Sequence, residues 1–333
     1  MLKMSDPVLK VEGLKTSFFT DDGEVPAVGG IDFEVKEGEI LGIVGESGCG
    51  KSVTSLSIMG LLPSPPGKIV GGHIYYQGED ISHAKESKMR KLRGNEIAMI
   101  FQEPMTSLNP VFTIGEQLEE AIKLHNQRLP KKEIENRSVE LLKRVGLPRA
   151  KELLKEYPHE LSGGMRQRVM IAIAMSCNPK VLIADEPTTA LDVTIQAQIL
   201  DLMIKLNKET NTAIIMITHD LGVVAQMCQR VVVMYAGKIV EEGPVKDIFN
   251  HPKHPYTEGL IQSIPDLHGK KERLYTIKGS VPKPGSITKG CLFAPRCEFV
   301  MDKCRVNTPE LSGGEHKSRC FLHQEQGRKE VRT

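Results

Sequence analysis

The 333-residue sequence has no apolar run approaching the ~18–20 residues that a membrane span requires, so any membrane role has to run through a partner. It also opens without an apolar h-region. Met1 to Asp6 is short and mixed, and Asp21, Asp22 and Glu24 follow soon after, which reads as a cytosolic chain rather than a secreted one. An excess of one charge is missing too: 44 basic against 42 acidic residues leave a formal +2, which argues neither for nor against a nucleic-acid partner. Sustained heptads are absent, which excludes a long coiled coil, and there is no internal repeat or low-complexity tract. A cytosolic setting keeps thiols reduced, so the 7 cysteines are not read first as disulfides.

What remains is an alternation of strand-like and helix-like segments. Apolar runs at Glu39–Val44, Glu96–Gln102, Val181–Asp185 and Ala213–Thr218 read as buried strands, and Arg230–Glu242 as two short strands around Ala236-Gly237. Helices are predicted from Lys51, across Thr113 to about Leu154, and over Val193–Leu206. This rhythm predicts an α/β fold with a mostly parallel sheet covered on both faces. A helical block at about 103–178 interrupts it. After Gly243, proline and histidine become frequent (His251-Pro252, His254-Pro255, Pro265, Pro282, Pro284), so a separate tail is expected from about residue 245.

The clearest chemistry lies between the first predicted strand and helix. Gly45-Glu46-Ser47-Gly48-Cys49-Gly50-Lys51-Ser52 fits the pattern of a glycine, four residues, then Gly-Lys-Ser/Thr. Glycines let the backbone wrap phosphate oxygens with its N–H groups inward, and the helix N-terminus adds partial positive charge. Lys51 can reach β- and γ-phosphates, and Ser52 can ligate Mg²⁺. Val53 follows in the same helix turn. A second strand, Val181-Leu182-Ile183-Ala184, ends in Asp185 and Glu186. Asp185 suits the Mg²⁺ shell, and Glu186 could polarise an attacking water. Alone, this pair would read as a strand end capped by solvated acids; together with the Gly45–Ser52 loop it reads as part of a nucleotide site.

Leu161-Ser162-Gly163-Gly164-Met165-Arg166-Gln167-Arg168 precedes an apolar helix, and Ser162, Gly163 and Gly164 could form a second anion-binding helix start. With the two phosphate motifs around it, this resembles the signature of ABC ATPases. Gln102 after a strand is similar to their Q-loop, Ala190-Leu191-Asp192 to their D-loop, and His219 to their switch histidine. The resemblance covers residues 8 to about 243, with the motifs in family order. It implies a P-loop NTPase sheet with a helical subdomain: a RecA-like and antiparallel-β core over 1–102 and 179–244, and a signature subdomain over 103–178. It further implies a head-to-tail pair of ATPase subunits, each ATP lying between one P-loop and the partner's signature. Gln102 would join the Mg²⁺ site and the link to membrane subunits, His219 would contact the γ-phosphate, Asp192 would lie near the nucleotide, and Phe18 would stack on adenine, with Phe19 as the neighbouring alternative. A near copy of the signature, Leu311-Ser312-Gly313-Gly314-Glu315, has no apolar helix or acidic strand behind it and reads as a coincidental turn.

Cys291, Cys297, Cys304 and Cys320 crowd the tail. By residue type they could be unrelated thiols, disulfides or ligands of Zn²⁺ or an iron–sulfur cluster, and their spacing matches neither zinc knuckles nor ferredoxin runs. The wider tail, His254-Pro255-Tyr256-Thr257 and Gly290-Cys291-Leu292-Phe293-Ala294-Pro295-Arg296-Cys297, resembles the C-terminal extension of dipeptide/oligopeptide importer ATPases. In that group the four cysteines are similar to the ligands of a [4Fe-4S] cluster, so the resemblance implies a small irregular domain over 245–333 with a four-cysteine metal site. It also implies a peripheral subunit on the cytoplasmic face of the membrane that hydrolyses ATP, pairs with a like or related subunit, and binds two permeases served by an extracytoplasmic peptide-binding protein. Import of nickel or another small solute, and a soluble ABC ATPase unconnected with transport, are the alternatives. Cys49, Cys177 and Cys228 have no assigned role.

Overall fold

Two long strands, β1 (Leu9–Thr20) and β2 (Gly23–Val35), open the fold, followed by β3 (Ile40–Val44), helix α1 (Lys51–Met59), β4 (Gly67–Tyr76), β5 (Glu79–Asp80), α2 (Glu86–Leu92) and β6 (Ile97–Ile100). A helical stretch follows: α3 (Ile114–His125), α4 (Lys131–Arg144), α5 (Ala150–Leu153) and α6 (Gly163–Ala174). The chain then runs through β7 (Val181–Asp185), α7 (Val193–Thr210), β8 (Ala213–Thr218), α8 (Leu221–Met227), β9 (Arg230–Tyr235) and β10 (Lys238–Pro244). The tail adds α9 (Val245–Asn250), α10 (Pro255–Gln262), α11 (Asp302–Val306) and β11 (Lys317–Ser318). This computed structural model describes residues 6–102, 107–189, 191–264 and 275–324. Among them, no helix is long and apolar enough to cross a membrane.

The chain divides into two compact units. The first holds Met1–Leu9, Val35–Glu39 and His83–Met216. In it β6 and β7 run parallel, Ile97 beside Val181 and Ile100 beside Ala184, and every residue of β7 is buried, as a strand covered on both faces requires. The helical block packs within this unit. A capping box closes the start of α3, where Thr113 accepts from the Glu116 N–H and the Glu116 carboxylate accepts from the Thr113 N–H. Leu118 and Ile122 of α3, Leu142 of α4 and Val169 and Ile171 of α6 are fully buried. The helical pattern over 113–154 is carried by three helices, separated at Pro130, which cannot continue a helix interior, and at the Gly146–Arg149 turn.

The second unit holds Lys10–Glu34, Ile40–Ser82 and Ile217–Thr333. One sheet has the order β2-β1-β4-β5. In another, β3 runs parallel to β9, β9 pairs antiparallel with β10, and β10 with β11 of the tail. The tail therefore extends, through β11, the sheet that contains β3, β9 and β10. Buried Glu241 on β10 holds it there: its carboxylate accepts from the N–H groups of Lys253 (2.7 Å) and His254 (2.9 Å), and it lies 2.7 Å from Nε2 of His316. A buried acid needs such partners to offset its lost hydration. Tyr235, Tyr256 and Phe293 form an aromatic cluster with centroids 4.7–5.5 Å apart, worth about 0.5–1.5 kcal/mol per pair beyond burial. The signature-like Leu311–Glu315 segment is a turn, bridged from Ser312 to Ser318, as expected.

His254 lies against this cluster, fully buried, and accepts the Tyr256 N–H on Nδ1. Burial, helped by the positive charges of His323 and Arg319, pushes its pKa from 6.5 down to about 3. Between those values the unfolded chain binds a proton that the native chain excludes, so stability is lost as pH falls below 6.5. Denaturant melts at pH 7 and pH 5 should show a loss of about 2 kcal/mol from this group, absent in His254→Gln.

Candidate nucleotide site

In the second unit, β3 ends at Val44 and the chain turns through Gly45–Gly50 into α1. Gly45 has φ 153°, and a Cβ there would run into the Met234 carbonyl and come within 2.8 Å of Cys49 Sγ. Gly50, the N-cap of α1, has φ 101°, and its Cβ would lie 2.7 Å from the Ala27 carbonyl. Both sites exclude a side chain, so the loop has to be glycine where it is. Lys51 is buried, and its ammonium donates to the carbonyls of Gly45 (2.7 Å) and Glu46 (3.2 Å), curled back along the loop that it follows. Ser47 and Gly48 are at the exposed part of the turn; Ser52 and Val53 continue into the first turn of α1 and are half-buried. Cys49 is buried, and burial pushes its thiol pKa up, against the pull of Lys51, so it is a packing residue rather than a nucleophile.

Two other predicted residues belong to this unit. His219 stands exposed directly after β8, before α8, whose N-terminus Asp220 caps by accepting from the Gly222 N–H at 2.7 Å. Phe18 on β1 is half-buried beside Gly67 on β4, where a Cβ would lie 3.1 Å from its ring; Phe19 is 48% exposed.

In the first unit, Asp185 is buried at the end of β7 and Glu186 follows with φ 48°, a left-handed conformation that aims the side chain off the strand line. Gln102 donates to the Glu186 carboxylate at 3.2 Å, and Thr189 donates to it at 2.9 Å. The structure thus brings together Gln102 and Glu186, 84 residues apart.

The signature lies in the same unit. Ser162 is the N-cap of α6 and accepts from the Met165 N–H at 3.3 Å. Asp192 caps α7, accepting from the Ile195 N–H at 2.9 Å. The two helix starts are close: a Cβ on Gly164 would meet Ile195 at 2.8 Å, and one on Gly163 would meet Leu191 at 3.8 Å. Ala190 of the D-loop, like 103–106 of the helical block and Pro265 of the tail, lies outside the described residues.

The tail thiols all line one small, largely apolar cavity: Cys291, Cys297, Cys304 and Cys320, with Phe293, Met301 and Phe321. Burial raises the pKa of three of them, Cys297 to about 11 and Cys320 to about 12. The expected four-cysteine metal site is not shown as such. Among the described residues no group of three or more His, Cys, Asp or Glu side chains is placed to hold a metal ion. The all-thiol donor set still fits a soft metal or cluster by type.

Sequence reasoning named the glycines and charged residues but missed two contacts to the loop. Arg296 in the tail pairs with the Glu46 carboxylate at 2.7 and 3.1 Å, and the Tyr256 hydroxyl accepts from the Glu46 N–H at 2.8 Å. Nothing in local sequence spacing signals a contact across 250 residues.

The Gly45–Ser52 loop, the paired acids that close β7 and the capped Ser162-Gly163-Gly164 helix start are the features on which the resemblance to ATP-binding cassettes rests. Residues 28–189 match the ABC transporter family, and residues 240–304 match the oligopeptide/dipeptide transporter C-terminal region. The chain is 57% identical over 324 residues to the oligopeptide transport ATP-binding protein AppD of Bacillus subtilis, covering 96% of this chain and 98% of AppD. It is 52% identical to a putative peptide import ATP-binding protein of Brucella abortus, again covering 96% and 98%. Among solved structures it resembles the dimeric ATP-binding cassette MJ0796 in a post-hydrolysis state with ADP and Pi (TM-score 0.64, 28% identity, 71% of this chain and 98% of that one). It also resembles CbiO1 of Clostridium perfringens, part of an ABC transporter complex (TM-score 0.63, 32% identity, 74% and 92%). The chain belongs to the ATP-hydrolysing, ATP-binding subunits of ABC transporters, in the peptide importer family.

Gly45→Ala should cost about 1–3 kcal/mol in a thermal melt and remove ATP binding in a filter assay, since the loop has to open to admit the methyl.

Proposed function

We propose that this subunit drives uptake of dipeptides or oligopeptides across the cytoplasmic membrane by ATP binding and hydrolysis at an interface with a second ATPase subunit. The observation that carries the cargo reading is the match of residues 240–304 to the oligopeptide/dipeptide transporter C-terminal region, joined to 57% identity with an oligopeptide transport protein. In this reading the core (1–102 and 179–244) binds nucleotide and the 103–178 block carries the signature. The 245–333 extension marks the peptide branch. The subunit sits peripherally on the cytoplasmic face, below two permeases fed by an external peptide-binding protein.

The roles follow from charge and position. Backbone N–H groups of Gly45–Gly50 and the start of α1 bind β- and γ-phosphate, with Ser47, Gly48 and Cys49 supplying loop backbone. Lys51 leaves the loop carbonyls to meet phosphate oxygens, a stronger acceptor. Ser52, Gln102 and Asp185 surround Mg²⁺, and Val53 lies beside the phosphates. Glu186, held by Gln102 and Thr189, orients and polarises the attacking water. His219 contacts the γ-phosphate, and Phe18 stacks on adenine. Ser162, Gly163 and Gly164 serve the partner's ATP, Asp192 lies at the seam, and ATP joins the two subunits until hydrolysis releases them.

Cys291, Cys297, Cys304 and Cys320 are the residues that would hold a [4Fe-4S] cluster, with Zn²⁺ as the alternative; the support is their shared cavity and common donor type. Such a group would supply a covalent staple to a tail with few long elements.

In Glu186→Gln, hydrolysis should fall by about 10³-fold while ATP-driven dimerisation survives, read by phosphate release and size exclusion. Unchanged turnover would remove Glu186 from the mechanism. Protein purified without oxygen should contain about four iron atoms per chain, and Cys304→Ser should lose them. One zinc per chain instead would select the alternative.

A further inference from the structure

Glu46 is an odd residue for its place. It is the second residue of a loop built to attract phosphate, and a bare carboxylate there repels the same oxygens that the loop N–H groups and Lys51 attract. The structure shows how that charge is handled. Arg296 forms a two-pronged ion pair with Glu46, Nη1 to Oε2 at 2.7 Å and Nη2 to Oε1 at 3.1 Å, with the arginine side chain only 4% exposed. The guanidinium is fixed from behind. Its Nε donates to the Lys278 carbonyl at 2.9 Å, Nη2 to the Ile277 carbonyl at 3.3 Å, and its plane lies 5.8 Å from the Tyr235 ring centroid and 5.9 Å from that of Phe293. A second tail residue holds the backbone of the same position: fully buried Tyr256 accepts the Glu46 N–H on its hydroxyl at 2.8 Å.

We infer that Arg296 and Tyr256 of the C-terminal extension are positioning residues of the phosphate site: Arg296 cancels the Glu46 charge, and Tyr256 fixes the turn that begins the loop. Arg296 closes the short 3₁₀ turn Ala294–Arg296, which lies between Cys291 and Cys297. One turn of chain therefore carries both Arg296, which contacts the phosphate loop, and the flanking cysteines of the cavity. The inference rests on the ATP-binding reading of the loop and adds to it a role for the tail in that binding.

A double-mutant cycle that removes each charge in turn tests this on the full chain, with a fluorescent N-methylanthraniloyl ATP as probe. Arg296→Ala leaves Glu46 unpaired and should weaken probe binding about five- to tenfold at low salt, less at high salt. Arg296→Ala combined with Glu46→Gln should return to within about twofold of the starting chain, because the repelling charge is gone although the tail contact is still missing. Arg296→Lys should fall between. A purely structural role predicts the opposite for the pair: binding as weak as in Arg296→Ala, with no salt dependence, and that result overturns the inference, as does unchanged affinity in Arg296→Ala. If Arg296→Ala does not fold, Arg296→Gln in the same two backgrounds decides by the same criterion. Tyr256→Phe, which removes one oxygen, should weaken binding about threefold or more, as expected for a lost hydrogen bond; unchanged affinity removes Tyr256 from the proposal. Failure of the unaltered chain to bind the probe would instead refute the nucleotide site itself.

Discussion

A phosphate group carries several negative charges and can be held by backbone N–H groups only if the chain turns sharply enough to point them at one spot. That constraint organises the second unit. Gly45 and Gly50 adopt positive φ with neighbouring carbonyls where a Cβ would sit, so the loop shape is enforced by packing and not merely permitted. A buried parallel strand delivers the chain to the turn, and a helix carries it away with its positive end at the loop. Lys51 rests on loop carbonyls, an arrangement that keeps a buried ammonium hydrogen-bonded.

The C-terminal extension belongs to the same physical argument. It is joined to the β3–β9–β10 sheet by a short edge strand, by the hydrogen bonds gathered on Glu241, and by an aromatic cluster that includes Tyr235 of the sheet itself. From it Arg296 reaches the Glu46 carboxylate in the loop between β3 and α1. In the first unit, Gln102, Glu186 and Thr189 form a separate hydrogen-bonded set at the end of β7, and the two capped helix starts at Ser162 and Asp192 lie side by side.

Much of this was legible in sequence because the chemistry is local. The phosphate loop, the acidic strand end and the Ser-Gly-Gly helix start each occupy a few consecutive residues, and β7, β8 and the pair β9–β10 are short apolar runs with clear ends. The long strands β1 and β2 escaped the reading because neither is continuously apolar nor cleanly alternating: their burial varies residue by residue as they cover only part of a core. In the helical block the apolar spacing carries across Pro130 and Gly146, so the pattern shows helix throughout without marking where one helix ends and the next begins. The tail was the least legible. Its irregular path is set by contacts such as Arg296 with Glu46 and His316 with Glu241, between residues far apart in the chain, which no local pattern encodes.

Recognition by the loop and Lys51 would fall on phosphate rather than on the nucleoside. The direct measurement is calorimetric titration of the full chain with ATP, ADP and adenosine in the presence of Mg²⁺. The account predicts strong binding of ATP, weaker binding of ADP and no measurable binding of adenosine. Adenosine bound as tightly as ATP would contradict it.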